Sequence, residues 1–452
     1  MTGKTPAVSM ARLMTSAPRD GVSVFERAGQ LADGRVVRLK MGPFRPYLVT
    51  HPDHVQRVFR ERQPYYVRGG MFWDPLEPLL GKGILSDGPE WADSRKILQP
   101  LFTARHVNSL AERMAQILDE LVASTLQSDV PFDIVDGISR IVHPTIVRLF
   151  FGDKLTRADM DRLLPAYNVG VTARAARLML PFVPQWFPLW GDRAFKRAIA
   201  DIDQVIYRRI AATRAEPESD GQEDVLTRLW RAYEQAAPAG SDGQTDQWIR
   251  DNLVSMHGAS TETSSTALCW IWPILQEHPQ VAEQVYAEID RVVGDGPVTT
   301  AHLPELRYLH QVVQELLRLY PPGWVLPRLA VEDDELGGVP IKAGSTVIVS
   351  PYLSHRLPEF WSRPTEFDPD RFSEEQTGKR HRYAYFPFAG GPHQCLGMHL
   401  FMMEAQLLIA TVLRRYRPQV HTSGPIRPQM AFSLRPPAGL TMTLIPRHGG
   451  SP

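Results

Sequence analysis

Phe388-Ala389-Gly390-Gly391-Pro392-His393-Gln394-Cys395-Leu396-Gly397 sets one cysteine in a glycine-rich loop just ahead of a long apolar stretch. Glycine accepts positive φ and lets the backbone pass close to a flat partner, so Gly390, Gly391 and Gly397 suit a tight bend under a ring. Residues 398–413 read as a helix, because Leu400, Met403, Leu407, Leu408 and Val412 recur at helical spacing on one face. Cys395 then lies near a helix N-terminus, where free N–H groups and the positive dipole end favour a thiolate over a thiol. Backbone N–H groups aimed at the sulfur would moderate its donation to a bound metal. A lone cysteine is by habit a small buried hydrophobe, so the reading turns on the rest of the chain.

The chain has 452 residues, 43% of them hydrophobic and 22% charged, which is the balance of a soluble globular protein with ample core for one large domain or two ordinary ones. Fifty basic residues offset fifty acidic ones, so no global charge points to nucleic acid. Two cysteines, Cys269 and Cys395, make neither a disulfide framework nor a paired zinc spacing, and a reducing cytoplasm is expected. Lys4, Arg12, Arg19, Asp20, Glu26 and Arg27 interrupt the first thirty residues, so no signal peptide or membrane anchor is expected there. There is no internal repeat, phosphate-binding P-loop, Gly-x-Ser-x-Gly elbow or His-Glu-x-x-His pair.

Taken in order, residues 1–19 read as loose, and 36–41 and 47–50 as two strands turned at Gly42 and Pro43. Pro52 opens a short helix over 53–60, and 63–90 is rich in aromatics, Gly and Pro. A helix from Trp91 to about Pro100 puts Trp91 and Arg95 on one face, where indole N–H and guanidinium suit a carboxylate; an ordinary surface pair is the plainer reading. Residues 104–215 are helical, broken at 128–131 and 183–188. The proline-broken apolar stretch 178–190 lines a substrate entrance or plugs the core, and 216–222 and 238–245 read as flexible connections.

Residues 246–276 read as one helix spanning on the order of 45 Å. Within it Gly258-Ala259-Ser260-Thr261-Glu262-Thr263-Ser264-Ser265 is poor in helix formers and suggests a local opening, with hydroxyls taking backbone carbonyls. Cys269 is expected in the core and Pro273 is expected to bend the end. Glu315 and Arg318 stand three apart on one helical face, the spacing of an ion pair. Tyr320-Pro321-Pro322 ends that helix, and Gly337, Gly338 and Gly344 turn short strands expected to rejoin the N-terminal sheet.

Phe388, Gly391, His393, Cys395 and Gly397 occupy every anchor of the haem-binding signature of the cytochrome P-450 family, which this chain resembles from about residue 20 onward. Three further motifs follow the family's order: Ala259 to Thr263, similar to its acid–alcohol motif but with Ser260 where glycine is usual; Glu315-x-x-Arg318; and Arg371 in Phe367-Asp368-Pro369-Asp370-Arg371-Phe372. The resemblance implies a mainly α cytochrome P-450 fold: a triangular prism of helices in a single domain over 20–452, with a small β-rich part near 33–50 and 325–350. A long central helix would lie over a haem b (iron protoporphyrin IX) with Cys395 thiolate as proximal ligand.

By the same resemblance Trp91, Arg95, Arg328, His355 and His393 bind haem propionates, Phe388, Gly391 and Gly397 shape the cradle, and Glu315, Arg318 and Arg371 form a bracing triad. Glu262 and Thr263 deliver protons, while Ser260 either crowds the oxygen groove or adds a donor to it. Phe72, Trp73, Met256, Ala259, Trp324, Val325, Leu326 and Phe432 line an apolar substrate pocket. The implied activity is oxidation of a hydrophobic small molecule (terpenoid, polyketide or fatty acyl) by dioxygen, in secondary metabolism, by a soluble, cytoplasmic, bacterial-type monomer. No flavin, nicotinamide or iron–sulfur segment is present, so electrons come from a ferredoxin or flavodoxin with its reductase. Lys379, Arg380, His381 and Arg382, with Lys96, offer it a basic face, unless they are simply a solvated loop. Two alternatives stand beside this: a peroxide-driven or non-oxygenating haem-thiolate enzyme, which Ser260 keeps open, and a haem ligand sensor without turnover, against which Glu262 and Thr263 both argue.

Overall fold

The β-branched run after Gly34 pairs as the sequence predicts. Val37–Lys40 lies antiparallel to Tyr47–Val49, with Val37 opposite Leu48 and Arg38 opposite Tyr47. Alternation sends Val37 and Leu39 into the core and Lys40 to solvent. Tyr47–Val49 is buried throughout and pairs in parallel with Thr346–Val349, as an interior strand must. The full sheet has six strands in the order Ala7–Ser9, Val37–Lys40, Tyr47–Val49, Thr346–Val349, Leu326–Ala330, Tyr66–Val67.

Two expectations change here. Residues 7–16 form an edge strand and the helix Met10–Ser16 instead of loose chain, because Val8 and Leu13 bury in one apolar cluster with Val22, Phe25 and Leu39. Asp334–Leu336 does not rejoin the large sheet; it pairs with Val339–Ile341 in a separate ribbon, across Gly337 and Gly338, both at positive φ.

The computed structural model describes residues 6–16, 20–42, 44–174, 177, 183, 186–215, 225–236 and 242–447. The connection expected at 216–222 and most of the stretch 178–190 lie outside them, although Trp186 and Trp190 are described and exposed. Chain contacts separate two units, the first Met1–Val67, Leu118–Ser139 and Thr263–Pro452, the second Arg68–Ile117 and Arg140–Glu262.

In the first unit Met398–Arg415 is mostly apolar and, apart from part-buried Met402, buried from Leu400 to Leu413, the pattern of a core helix. Among the described residues, Gly391–Arg415 is the one stretch long and apolar enough to cross a membrane, and 72% of its most apolar window is buried inside the protein. Cys269 is fully buried, as expected. In the second unit the helical run resolves into Arg157–Thr172, Asp192–Ala215 and Val225–Ala236, with Arg174 and Arg177 paired to Asp192 and Arg250 paired to Asp203. The central helix is Asp242–Glu277, four residues earlier than the sequence predicts, so 242–245 belong to it and not to a connection; 238–241 lie outside the described residues. Trp91 lies in Pro89–Leu98, which starts at a proline behind Gly88, a favoured first position.

Candidate functional site

Cys395 is exposed. Its N–H donates to the Phe388 carbonyl at 2.9 Å and the Gln394 N–H to the Gly391 carbonyl at 3.1 Å, closing the loop on itself. Ala389 and Gly391 take positive φ, 57° and 67°. A Cβ on Gly391 would stand 1.8 Å from the Phe59 carbonyl oxygen, a backbone atom that cannot retreat. The glycine is therefore dictated by chain packing as well as by φ.

Gly390 and Gly397 have ordinary φ, against the sequence expectation. Gly390 is needed because a Cβ would meet the Tyr383 ring at 2.5 Å, whereas at Gly397 it would only touch the Cys395 Sγ, at 3.8 Å. Helix Met398–Arg415 starts directly after Gly397, so the thiol lies at a helix N-terminus in the setting that favours a thiolate. An exposed soft donor on a backbone-locked loop is what haem iron requires, and these residues fit the group.

The bracing triad assembles. Arg318 Nε and Nη2 donate to the two Glu315 oxygens at 2.7 and 2.8 Å, with both residues wholly buried. Arg371 Nε lies 3.4 Å from Glu315 Oε1, which also accepts the Asp368 N–H at 2.8 Å. The rest of the Arg318 fork donates to the carbonyls of His355, Pro364 and Glu366. A planar guanidinium with five donors can do this; a lysine cannot.

His355 is corrected. It is fully buried, its Nδ1 lies 3.2 Å from the Arg318 carbonyl and its Nε2 accepts the Phe386 N–H at 2.9 Å, so neither nitrogen is left for a propionate. Burial holds it neutral. Arg328 and His393 are buried in the same unit, Arg328 donating to the Pro327 carbonyl with its guanidinium 5.2 Å from the Phe59 ring, and both remain candidates.

Trp324, expected in the substrate pocket, is held by partners of its own. Its ring packs edge-on against Phe25 at 5.3 Å and its Nε1–H donates to the Ala431 carbonyl at 3.0 Å, which makes it a strut between chain segments. Val325 packs on the same cluster and Leu326 on a neighbouring one, while Phe432 is half exposed. Arg380, expected on a basic docking face, instead donates to the Arg371 carbonyl and stacks over Trp361 at 4.4 Å; Lys379 and Arg382 are exposed.

In the second unit the Ser260 hydroxyl donates to the Met256 and His257 carbonyls at 2.8 and 3.1 Å, and Thr261 Oγ1 to the His257 carbonyl at 2.9 Å. These hydroxyls are used on their own helix, so Ser260 is not a donor to oxygen. Met256 is buried and Ala259, three positions on along the same helix, is exposed. Asp251 and Asn252 accept the N–H groups of Lys82 and Ile84, and Ser255 donates to the Leu80 carbonyl. A Cβ on Gly81 would overlap the Asp251 carboxylate. That anchors the loop after Phe72 and Trp73, whose ring takes Arg68 at 5.6 Å. Arg95 donates to Gln99 along its own helix, and Trp91 is part-buried.

A cavity of about 700 Å³ in this unit is lined by Asp74, Glu77, Lys82, Asp203, Arg250 and Asp251, too polar for the apolar pocket the sequence implies. Glu262 and Thr263 are part-buried neighbours on the helix. Sequence reasoning missed His143, His257 and Glu404. His257 and Glu404 are buried ionisable groups, and their only signal was a charge-capable residue at an apolar register position of a helix.

The family profile described as Cytochrome P450 matches residues 19–443. Cyclooctatin synthase of Streptomyces melanosporofaciens is 32% identical over 96% of this chain and 92% of its own length. Cyclooctat-9-en-7-ol 5-monooxygenase of the same organism is 30% identical over 85% and 83%, and pentalenene oxygenase of Streptomyces avermitilis 25% identical over 99% and 97%. Among solved structures, the heme domain of a cytochrome P450DA mutant superposes with a TM-score of 0.83 at 21% identity, covering 99% of this chain and 98% of that one, a likeness of fold.

Proposed function

Because the chain belongs to the cytochrome P450 family and is an oxidoreductase of its monooxygenase class, we propose that it hydroxylates a cyclic terpenoid, using dioxygen and electrons from a separate ferredoxin or flavodoxin. The observation that carries the reading is Cys395, an exposed thiol on a loop locked by the Gly391–Phe59 contact at a helix N-terminus. The terpenoid class is supported by relatives named for pentalenene and cyclooctat-9-en-7-ol.

Cys395 would hold the haem iron, with Arg328 and His393 as buried partners for its acidic substituents and Trp91 and Arg95 as further candidates. Bound through a thiolate, haem supplies the activation of dioxygen and the oxidation of a C–H bond. Glu262 holds and releases protons beside the Thr263 hydroxyl, which positions them. The triad of Glu315, Arg318 and Arg371 keeps the segment 355–371 fixed ahead of the cysteine loop. With the Ser260 hydroxyl turned onto its own helix, Ser260 adds no donor to the oxygen groove, and the peroxide-driven alternative rests on crowding by its side chain.

The test is a difference spectrum of the reduced carbon monoxide complex during titration with cyclic terpenes, fatty acids and macrolide lactones. A red-shifted thiolate band that Cys395→Ala abolishes, and a spin shift with terpenes, are expected. Absence of that band refutes the haem-thiolate assignment; a spin shift with fatty acids alone refutes the substrate class. Electron transfer is expected to weaken with salt and to slow when Lys379 and Arg382 are changed to Glu, and unchanged reduction kinetics would remove these residues from the partner's surface.

A further inference from the structure

The central helix carries His257 about one and a half turns before Glu262. Its side chain is almost wholly buried and neither ring nitrogen has a hydrogen-bond partner among the described residues. The ring lies 4.3 Å from that of Tyr167, whose buried hydroxyl is also without one. Gly258 lies beside them, where a Cβ would stand in ordinary contact with the Tyr167 ring at 3.6 Å. On the helix Ile134–Phe151, His143 is near enough to His257 and to Glu262 to interact electrostatically with each.

Three neighbouring buried polar atoms left bare are costly, and proteins satisfy such groups with ordered water. The hydroxyls of Ser260 and Thr261 give their protons to helix carbonyls and so cannot donate to these atoms.

We propose that Tyr167, His257 and His143 enclose ordered water and form with it a proton relay that ends on the Glu262 carboxylate. This rests on the monooxygenase reading, in which Glu262 must be reprotonated in every cycle. The three are positioning residues, acting through Glu262. A neutral imidazole takes a proton at one ring nitrogen and releases one from the other, so each transfer leaves the charge of the relay unchanged and moves one proton toward Glu262.

Burial keeps both rings neutral. His257 is held down to about 3, with His143 adding to the effect, and His143 to about 4 although Glu262 pulls the other way. Tyr167 is held protonated by burial, between opposed influences of Arg250 and Asp203. The relay therefore has no titration of its own between about pH 5 and 9.

The experiment uses the haem-loaded protein with a surrogate ferredoxin and reductase, in His257→Phe, His257→Asn, Tyr167→Phe and His143→Phe variants. It reads the share of electrons released as hydrogen peroxide and the proton inventory of turnover in mixed light and heavy water. It also uses a high-resolution diffraction structure of the parent. His257→Phe is expected to lower coupled turnover about tenfold, within the usual span of proton-transfer effects, and to straighten a bowed inventory. His257→Asn is expected to restore most of the coupling, and the diffraction structure to show water between Tyr167 and His257. Parent-like coupling and inventory in both His257→Phe and Tyr167→Phe would overturn the relay, as would a dry pocket. If His257→Phe takes up no haem, Tyr167→Phe decides, since it removes one oxygen. A parent without the thiolate band refutes the monooxygenase reading instead, which separates the two failures.

Discussion

Glu404 lies in the core helix Met398–Arg415, excluded from solvent, with neither carboxyl oxygen at hydrogen-bonding geometry to any group of the described residues. The Ser264 hydroxyl is near enough to favour ionisation a little, but burial dominates and pushes the carboxyl from 4.5 up to about 8. Unfolded, the same group titrates at its ordinary value. Between pH 4.5 and 8 the unfolded chain has lost a proton that the folded chain retains, so stability falls as pH rises through that window and levels off above it.

At pH 7 the loss covers two and a half pH units at about 1.4 kcal/mol each, or about 3 kcal/mol. Glu404→Gln keeps the shape and cannot ionise, so it should return that amount at pH 7 and only about 0.7 kcal/mol at pH 5. Unfolding entropy of about 2.1 cal/mol/K per residue makes this a rise of about 3 °C in a chain of this length. Thermal unfolding of haem-loaded parent and variant at pH 5, 6, 7 and 8 measures it. Curves that stay parallel across those pH values, or a variant less stable than the parent at pH 7, would show that Glu404 is ionised and partnered, and the reasoning from burial would be wrong.

Gly391→Ala meets the Phe59 carbonyl at 1.8 Å and adds about 1–2 kcal/mol for left-handed backbone. The haem-to-protein absorbance ratio of the purified variant should fall severalfold, and a fully loaded variant would contradict the packing argument. Arg318→Lys leaves Glu315 buried and the carbonyls of His355, Pro364 and Glu366 without their donor; a loss of about 3–5 kcal/mol, read as the guanidinium midpoint, is expected. Acid should destabilise the protein from about pH 6.5 downward, because unfolded histidines take up protons while His143 and His257 refuse them until about 4 and 3. In His257→Phe the slope of stability against pH between 6 and 4 should be shallower, and an equal slope would place the acid sensitivity elsewhere.

What was legible in the sequence depended on how local each role is. The bend at Gly391 and the pairing of Glu315 with Arg318 follow from residues a few positions apart, and the structure builds both. His355 misled because the groups that use its nitrogens, the Phe386 N–H and the Arg318 carbonyl, are more than thirty residues away on either side. Trp324 misled for the same reason, its partners being Phe25 and Ala431. Ser260 was different: bonding of a helical serine to the carbonyl four residues back is local, and the register alone could have predicted it.

Buried charge-capable residues in this chain fall into two kinds, which composition cannot distinguish and hydrogen-bond partners can. Around Glu315 and Arg318 both carboxylate oxygens and the guanidinium fork meet named partners, and the work of the pair is to hold a segment still. Glu404 and His257 are as deeply buried yet lack such partners, so each is driven to its neutral form, the acid upward and the imidazole downward. A neutral carboxyl or imidazole can still give or accept a proton, which a fully bonded ion pair does only at great cost. Much of the pH dependence of this protein's stability should therefore originate at His143, His257, His355 and Glu404, whose folded forms resist the charge that their unfolded forms take.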